Sequence, residues 1–207
     1  MRKFLSVVGL LVVLSSGLMA QQKYFGSAYW SIATPTGEFR NFVNETSVSG
    51  FGVDFQWWTS DHFSAGLVLG YNLWSDVYRG VTQQFAYNDL KGAINGTQVH
   101  TMNSFTFMVG GRWIFGGSRD VRPYLGLAAG TITSSQTLDV SLFRFQETNW
   151  HVGVAPSLGL LVPIDYGTSL DVSGRFSYAM PSGTSLYGTT NNTLSHWSVN
   201  VGFTWGQ

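Results

Sequence analysis

The sequence predicts an all-β fold: an eight-stranded, up-and-down, antiparallel transmembrane β-barrel. Three observations carry it. Segments of alternating hydrophobicity recur along the chain, each about ten residues long. The connections between them alternate short and long. Charged residues make up only 11% of the chain, less than half of what a soluble domain uses to cover a water-facing surface, about 25%.

Eight segments alternate: Tyr24–Ala33, Val48–Trp58, Phe63–Trp74, Phe105–Phe115, Tyr124–Ile132, Trp150–Val162, Ser169–Tyr178 and His196–Trp205. The count becomes ten if the Val77–Leu90 region forms a hairpin of its own. Short turns follow the second, fourth and sixth strands: TSDH (59–62), GGSRD (116–120) and PIDYGT (163–168). Long polar loops follow the others, at 34–47, 75–100, 133–148 and 179–195. A meander with turns at one end and loops at the other matches a transmembrane barrel better than a Greek-key sandwich, whose crossings spread loop lengths more evenly.

Residues 1–20, MRKFLSVVGLLVVLSSGLMA, read as a secretory signal cleaved after Ala20. Arg2 and Lys3 make a basic start, an apolar run follows, and small residues close it. Residues 21–207 are then one barrel domain. Without Arg2 and Lys3 the eleven basic residues fall to nine against eleven acidic ones, a net charge of −2. That balance offers no attraction for nucleic acid. The absence of cysteine excludes disulfides and thiolate metal sites.

Parity decides which face is which. In the second strand Phe51, Val53, Phe55 and Trp57 alternate with Gly50, Gly52, Asp54 and Gln56. In the last, Trp197, Val199, Val201, Phe203 and Trp205 alternate with Ser198, Asn200, Gly202 and Thr204. Four charges lie well inside strands, Asp54, Arg112, Asp171 and Arg175, and all four share the small, polar parity. A soluble barrel would show water a surface of glycine, serine and alanine with almost no charge. The inverted arrangement is consistent: bulky residues meet lipid, and small polar ones fill a lumen with room only for packed side chains. The four charges, balanced in sign, are expected to form a polar network there. Asp171 and Arg175 would share one face about 13 Å apart.

Aromatic residues sort to the two strand ends, as lipid-interface girdles do. Trp57, Trp58, Phe63, Trp113, Phe115, Tyr124, Tyr166, Phe203 and Trp205 lie near the short turns. Trp30, Tyr71, Trp74, Phe105, Trp150, Tyr178 and Trp197 lie near the long loops. Trp57, Trp113, Trp150, Trp197, Phe203 and Trp205 are the expected girdle proper.

The glycine-rich strand RPYLGLAAG (122–130), the alternating loop lengths and the final strand VNVGFTW (199–205) resemble those of the small outer-membrane β-barrel proteins of Gram-negative bacteria, the OmpA-barrel and OmpX-like group. The resemblance spans 21–207. It implies a place in the outer membrane with termini in the periplasm, long loops outside, and contact with outer-membrane lipid and lipopolysaccharide. It also implies a last strand read by the barrel-insertion machinery, although this chain ends in Gly206-Gln207 rather than on the aromatic.

The sequence offers little chemistry. His196 and Ser198 form an H-x-S pair that resembles the His and Ser of lipid A deacylases, but general-base activation of a serine needs a carboxylate behind the histidine. No Glu follows this pair. His62, His100, His151 and His196 are scattered without metal-ligand spacing. No enzymatic site, cofactor or metal is therefore expected. The 75–100 loop mixes Tyr78, Phe85 and Tyr87 with Arg79, Asp89 and Lys91, a composition suited to an extracellular protein or glycan and equally to a self-supporting hairpin. The reading is a structural or adhesion-like surface protein acting through four loops. A small channel for small or hydrophobic solutes is the alternative, and a lipid A-modifying enzyme the third.

Overall fold

The computed structural model describes residues 24–87, 90–117, 120–140, 143–183 and 193–206. The expected signal segment, 1–20, lies outside them. Eight strands close into one barrel in chain order, each antiparallel to its neighbours, and β1 closes against β8. They are β1 (Tyr24–Thr36), β2 (Ser47–Trp58), β3 (Phe63–Tyr87), β4 (Leu90–Ile114), β5 (Arg122–Val140), β6 (Phe143–Asp165), β7 (Thr168–Ala179) and β8 (Leu194–Trp205). Closure leaves no edge within the wall, so backbone groups pair without water, as a bilayer requires. The turn between β6 and β7 needs only Tyr166 and Gly167, with Gly167 at φ 75°. Glycine takes that left-handed conformation without a Cβ clash.

The wall is inside-out relative to a soluble barrel. Phe51, Phe55, Phe107, Val109, Leu125, Leu127, Leu158 and Val199 are exposed, whereas Asp54, Gln56, Arg112, Asp171 and Asn200 are buried. In water such an apolar band would be unfavourable by roughly 25 cal/mol per Å²; in lipid it is not. The girdle residues Trp113, Trp150, Trp197, Phe203 and Trp205 all stand on this outer face, and Trp57, half-buried, shares their parity.

Three of the aromatics expected at the interfaces point the other way. Trp74 and Tyr124 are buried in the lumen, and Trp58 packs on buried Phe25 with ring centroids 5.1 Å apart. Each has the parity of the small residues on its own strand, and parity overrides position along the strand.

Two of the expected loops, 75–100 and 133–148, are strands over most of their length. β3 and β4 run 25 residues each and pair from Phe63↔Trp113 to Tyr87↔Leu90. β5 and β6 pair out to Val140↔Phe143. The Val77–Leu90 region therefore prolongs β3 into its hairpin with β4 rather than adding strands, and the count is eight.

Candidate functional site

Three features converge on what the barrel can do: a charged network low in the lumen, an apolar cap at the mouth on the long-loop side, and a sheet raised above it.

The lumenal faces of β2, β4 and β7 bring Asp54, Arg112, Asp171 and Arg175 into one cluster. Arg112 donates from Nη2 to Asp54 Oδ2 and from Nη1 to Asp171 Oδ2 at 3.3 Å. Arg175 Nη2 reaches the same Asp54 oxygen at 3.3 Å. Two tyrosines that sequence reasoning missed complete the set. Tyr29 Oη donates to Asp54 Oδ1 (3.2 Å) and accepts from Arg175 Nη1 (2.7 Å). Tyr124 Oη donates to Asp171 Oδ1 at 2.9 Å. The guanidinium of Arg175 lies 5.2 Å from the Tyr29 ring centre, and that of Arg112 lies 4.8 Å from Tyr124. Each carboxylate thus faces one arginine stacked on one tyrosine, with Arg112 joining the two halves.

Gly52 and Gly159 make this possible. A Cβ on Gly52 would sit 2.4 Å from the Tyr29 ring, and one on Gly159 would sit 2.5 Å from the Tyr124 ring. A buried charge is tolerated only when paired and hydrogen-bonded, and here both oxygens of each carboxylate have partners. Arg122, expected at a strand end, is also buried inside and bonds Ser169 Oγ at 3.4 Å.

Above the network a cavity of about 20 Å³ remains, lined by Tyr29, Asn72, Arg175, His196, Ser198 and Asn200 among others. That holds about one water. Higher still, the chain after β1 makes a 3₁₀ turn (Gly37–Asn41) that brings Phe39, Phe42 and Val43 into one apolar cluster with Ala33, Trp74, Met102 and Leu194. Phe39 meets Trp74 edge-on at 5.0 Å. Trp74 Nε1 donates to the Ala33 carbonyl at 3.0 Å, and His100, stacked on Phe42, donates from Nδ1 to the Phe42 carbonyl at 2.8 Å. Burial pushes the His100 imidazole below its ordinary pKa. The lumen is closed twice, by charge below and by apolar packing above.

His196 and Ser198 both face inward without forming a nucleophile–base chain. Ser198 Oγ donates to the Arg175 carbonyl at 3.4 Å, while the His196 ring lies edge-on to Trp74 and its Nδ1 has no hydrogen-bond partner. No carboxylate therefore orients that ring through Nδ1. A different Ser–His pair is hydrogen-bonded: His151 donates from Nδ1 to the Met180 carbonyl (3.1 Å), which leaves Nε2 to accept from Ser134 Oγ (2.8 Å). Both side chains are buried, and the bonds tie β5 and β6 to the end of β7. Among the described residues no group of three His, Asp or Glu side chains could hold a metal ion.

Outside the lumen, β3, β4, β5 and β6 rise together. Pairing of β2 with β3 stops at Phe51↔Tyr71, and that of β6 with β7 stops at Gly153↔Ala179. β4 and β5 stay paired to Gln98↔Val140. The sixteen residues of β3 after Tyr71 reach about 50 Å further along the strand direction. Near the β5–β6 tip, Asp139 and Arg144 pair across the strands in a bidentate bond, 2.6 and 3.0 Å, which holds the Asp139 carboxyl below the usual carboxylate range.

The closed eight-stranded meander has solved counterparts. The neisserial surface protein A structure superposes with a TM-score of 0.58 over 90% of this chain and 99% of that one, at 12% identity. The chain has the fold of the small outer-membrane barrels. OprG of Pseudomonas aeruginosa (TM-score 0.49, 13% identity, 90% of this chain and 95% of that one) and Ail of Yersinia pestis in complex with the heparin analogue sucrose octasulfate (0.46, 12%, 89% and 97%) are also similar. No protein-family model and no curated protein matches the sequence. In an outer-membrane barrel the exposed apolar band is the lipid-facing surface, and the girdle residues mark its two rims.

Proposed function

We propose that this outer-membrane barrel is a closed anchor whose work is done outside the cell by the raised β3–β6 sheet, through contact with an extracellular protein or glycan. The short turns and both termini then lie in the periplasm, and the long hairpins outside. The observation that carries this reading is the pairing of β3–β6 well beyond the level where β1, β2, β7 and β8 end. Four mutually bonded strands form a rigid platform, at a low ordering cost to a partner, whereas unstructured loops would have to be ordered on binding. The double closure of the lumen supports an anchor over a conduit. Lipid and lipopolysaccharide surround the band, and the aromatic last strand is the element offered to the insertion machinery.

The test is binding by cells that display the protein. Joining Tyr78 to Gln98 and Ser135 to Thr148, each through an Asn-Gly turn, cuts back both raised hairpins and leaves the wall intact. Adhesion to host-cell or glycan surfaces should fall to background in that variant while heat-modifiable migration on gels persists. Undiminished adhesion, or steady single-channel conductance of the wild-type protein in planar bilayers, would overturn the proposal.

A further inference from the structure

Three glycines face lipid within the band: Gly26, Gly111 and Gly174. Two are roofed by the protein itself. A Cβ on Gly26 would lie 2.8 Å from the Trp205 indole, and one on Gly111 would lie 2.6 Å from the Phe63 ring, so an aromatic side chain lies over each bare backbone. Gly174 has no such cover, and a Cβ there would meet nothing within 4 Å. The cross-strand row through it reads Leu125–Leu158–Gly174–Val199, three bulky side chains with one missing. The result is an open apolar groove of about 650 Å³, walled by Leu125, Leu158, Leu160, Val172 and Val199, with Phe115 and Pro123 at its lower end.

The row climbs obliquely. Leu125 pairs with Trp113 of the lower girdle, while Val199 is two residues from Trp197 of the upper one. Three strand spacings separate Leu125 from Val199, about 14 Å. We infer that this groove seats one acyl chain of a phospholipid from the leaflet on the short-turn side. The occupant must be apolar, because the floor and walls offer it almost no polar group. It must be narrow, because the notch is one side chain wide. It reaches the site without crossing water, because the groove is continuous with the lipid-facing band. The lower end opens beside the short turns, so the headgroup lies on that side. A second barrel would place bulky residues against bulky residues on either side of the notch and leave the notch itself unfilled. The inference rests on the outer-membrane reading.

Native mass spectrometry of the protein extracted from membranes in mild detergent tests it. The wild type should retain about one phospholipid, and Gly174→Leu, which fills the notch, should retain about fivefold less, the loss of roughly five to ten packing contacts between chain and groove. Gly174→Ala should fall between them, and Val109→Leu, on the lipid face of β4, should match the wild type. Equal retention in wild type and Gly174→Leu would overturn the inference, as would lipopolysaccharide in place of phospholipid, or a dimer of the chain that Gly174→Leu disperses. A wild type that is heat-modifiable but carries no lipid refutes the groove alone. One without heat-modifiable migration refutes the membrane reading beneath it.

Discussion

Arg112 on β4 donates to Asp171 on β7 at 3.3 Å, joining strands that are three apart around the barrel. Arg112 also bonds Asp54, so its removal leaves Asp171 without a cation and Asp54 with Arg175 alone. Breaking one partner of a buried ion pair costs about 3–5 kcal/mol, and Arg112→Ala should fall in that range. Urea unfolding in lipid vesicles measures it. Arg112→Ala combined with Asp171→Asn should recover part of the loss, since one orphaned charge is gone. Additive losses would show that the two residues do not interact.

Closure at two levels predicts how the lumen behaves. Phe39→Ser with Phe42→Ser should loosen the cap yet leave conductance near that of the wild type, because the arginine–carboxylate cluster still blocks the lumen below. Arg112→Ala alone should also conduct little, since the cap remains. The triple variant should show clear single-channel steps in planar bilayers. Conductance raised fully by the two cap substitutions would mean that the charged cluster is no barrier.

Much of this interior was legible from parity. The common parity of Asp54, Arg112, Asp171 and Arg175 with glycine and serine needs no knowledge of neighbours, since alternate residues on a strand face opposite ways. Which of them touch depends on register and on the barrel's closure, and neither is written in any one segment. Tyr29 and Tyr124 were hidden because large aromatics suit the lipid face. For Tyr29, the mixed parity of Phe25 and Tyr29 against Trp30 and Ile32 was the trace left in strand one. Trp58, Trp74 and Tyr124 were assigned to the girdles by closeness to a strand end, although their own parity places them inside. The raised parts of β3–β6 were illegible for another reason. Above the bilayer neither face meets lipid, so runs such as Thr133 to Thr137 carry no hydrophobic alternation to mark a strand.

His100 makes the cap sensitive to acid. Its imidazole is neutral in the folded protein because burial lowers its pKa, while Asp76 nearby and the bond to Phe42 oppose the shift without cancelling it. A histidine whose folded pKa is depressed binds fewer protons folded than unfolded, so stability falls as pH drops below its unfolded value, about 6.5. The Phe42 segment should therefore become easier to cleave by protease as pH falls from 7 towards 5. His100→Gln should flatten that dependence. An unchanged profile in the variant would assign the acid response to other groups.

Pro156 places a flaw in the wall between β6 and β7. Met180 N donates to Val152 O at 2.8 Å, so alternation along β6 turns the backbone of Val154, Pro156 and Leu158 towards β7. Proline has no N–H, and register pairs are interrupted between Val154↔Tyr178 and Ser157↔Arg175. The Phe176 carbonyl, level with the lipid-facing band, consequently receives no donor from residue 156. An unsatisfied buried acceptor costs about 1–3 kcal/mol, and lipid supplies no substitute. Pro156→Ala restores the donor at the expense of about 0.4–1 kcal/mol of extra freedom in the unfolded chain. The net effect should be a gain of about 1 kcal/mol in vesicle unfolding, with a slowly exchanging amide appearing at position 156. A lower unfolding midpoint, or an amide that exchanges rapidly, would show that the Phe176 carbonyl is already satisfied and that the proline costs the wall nothing.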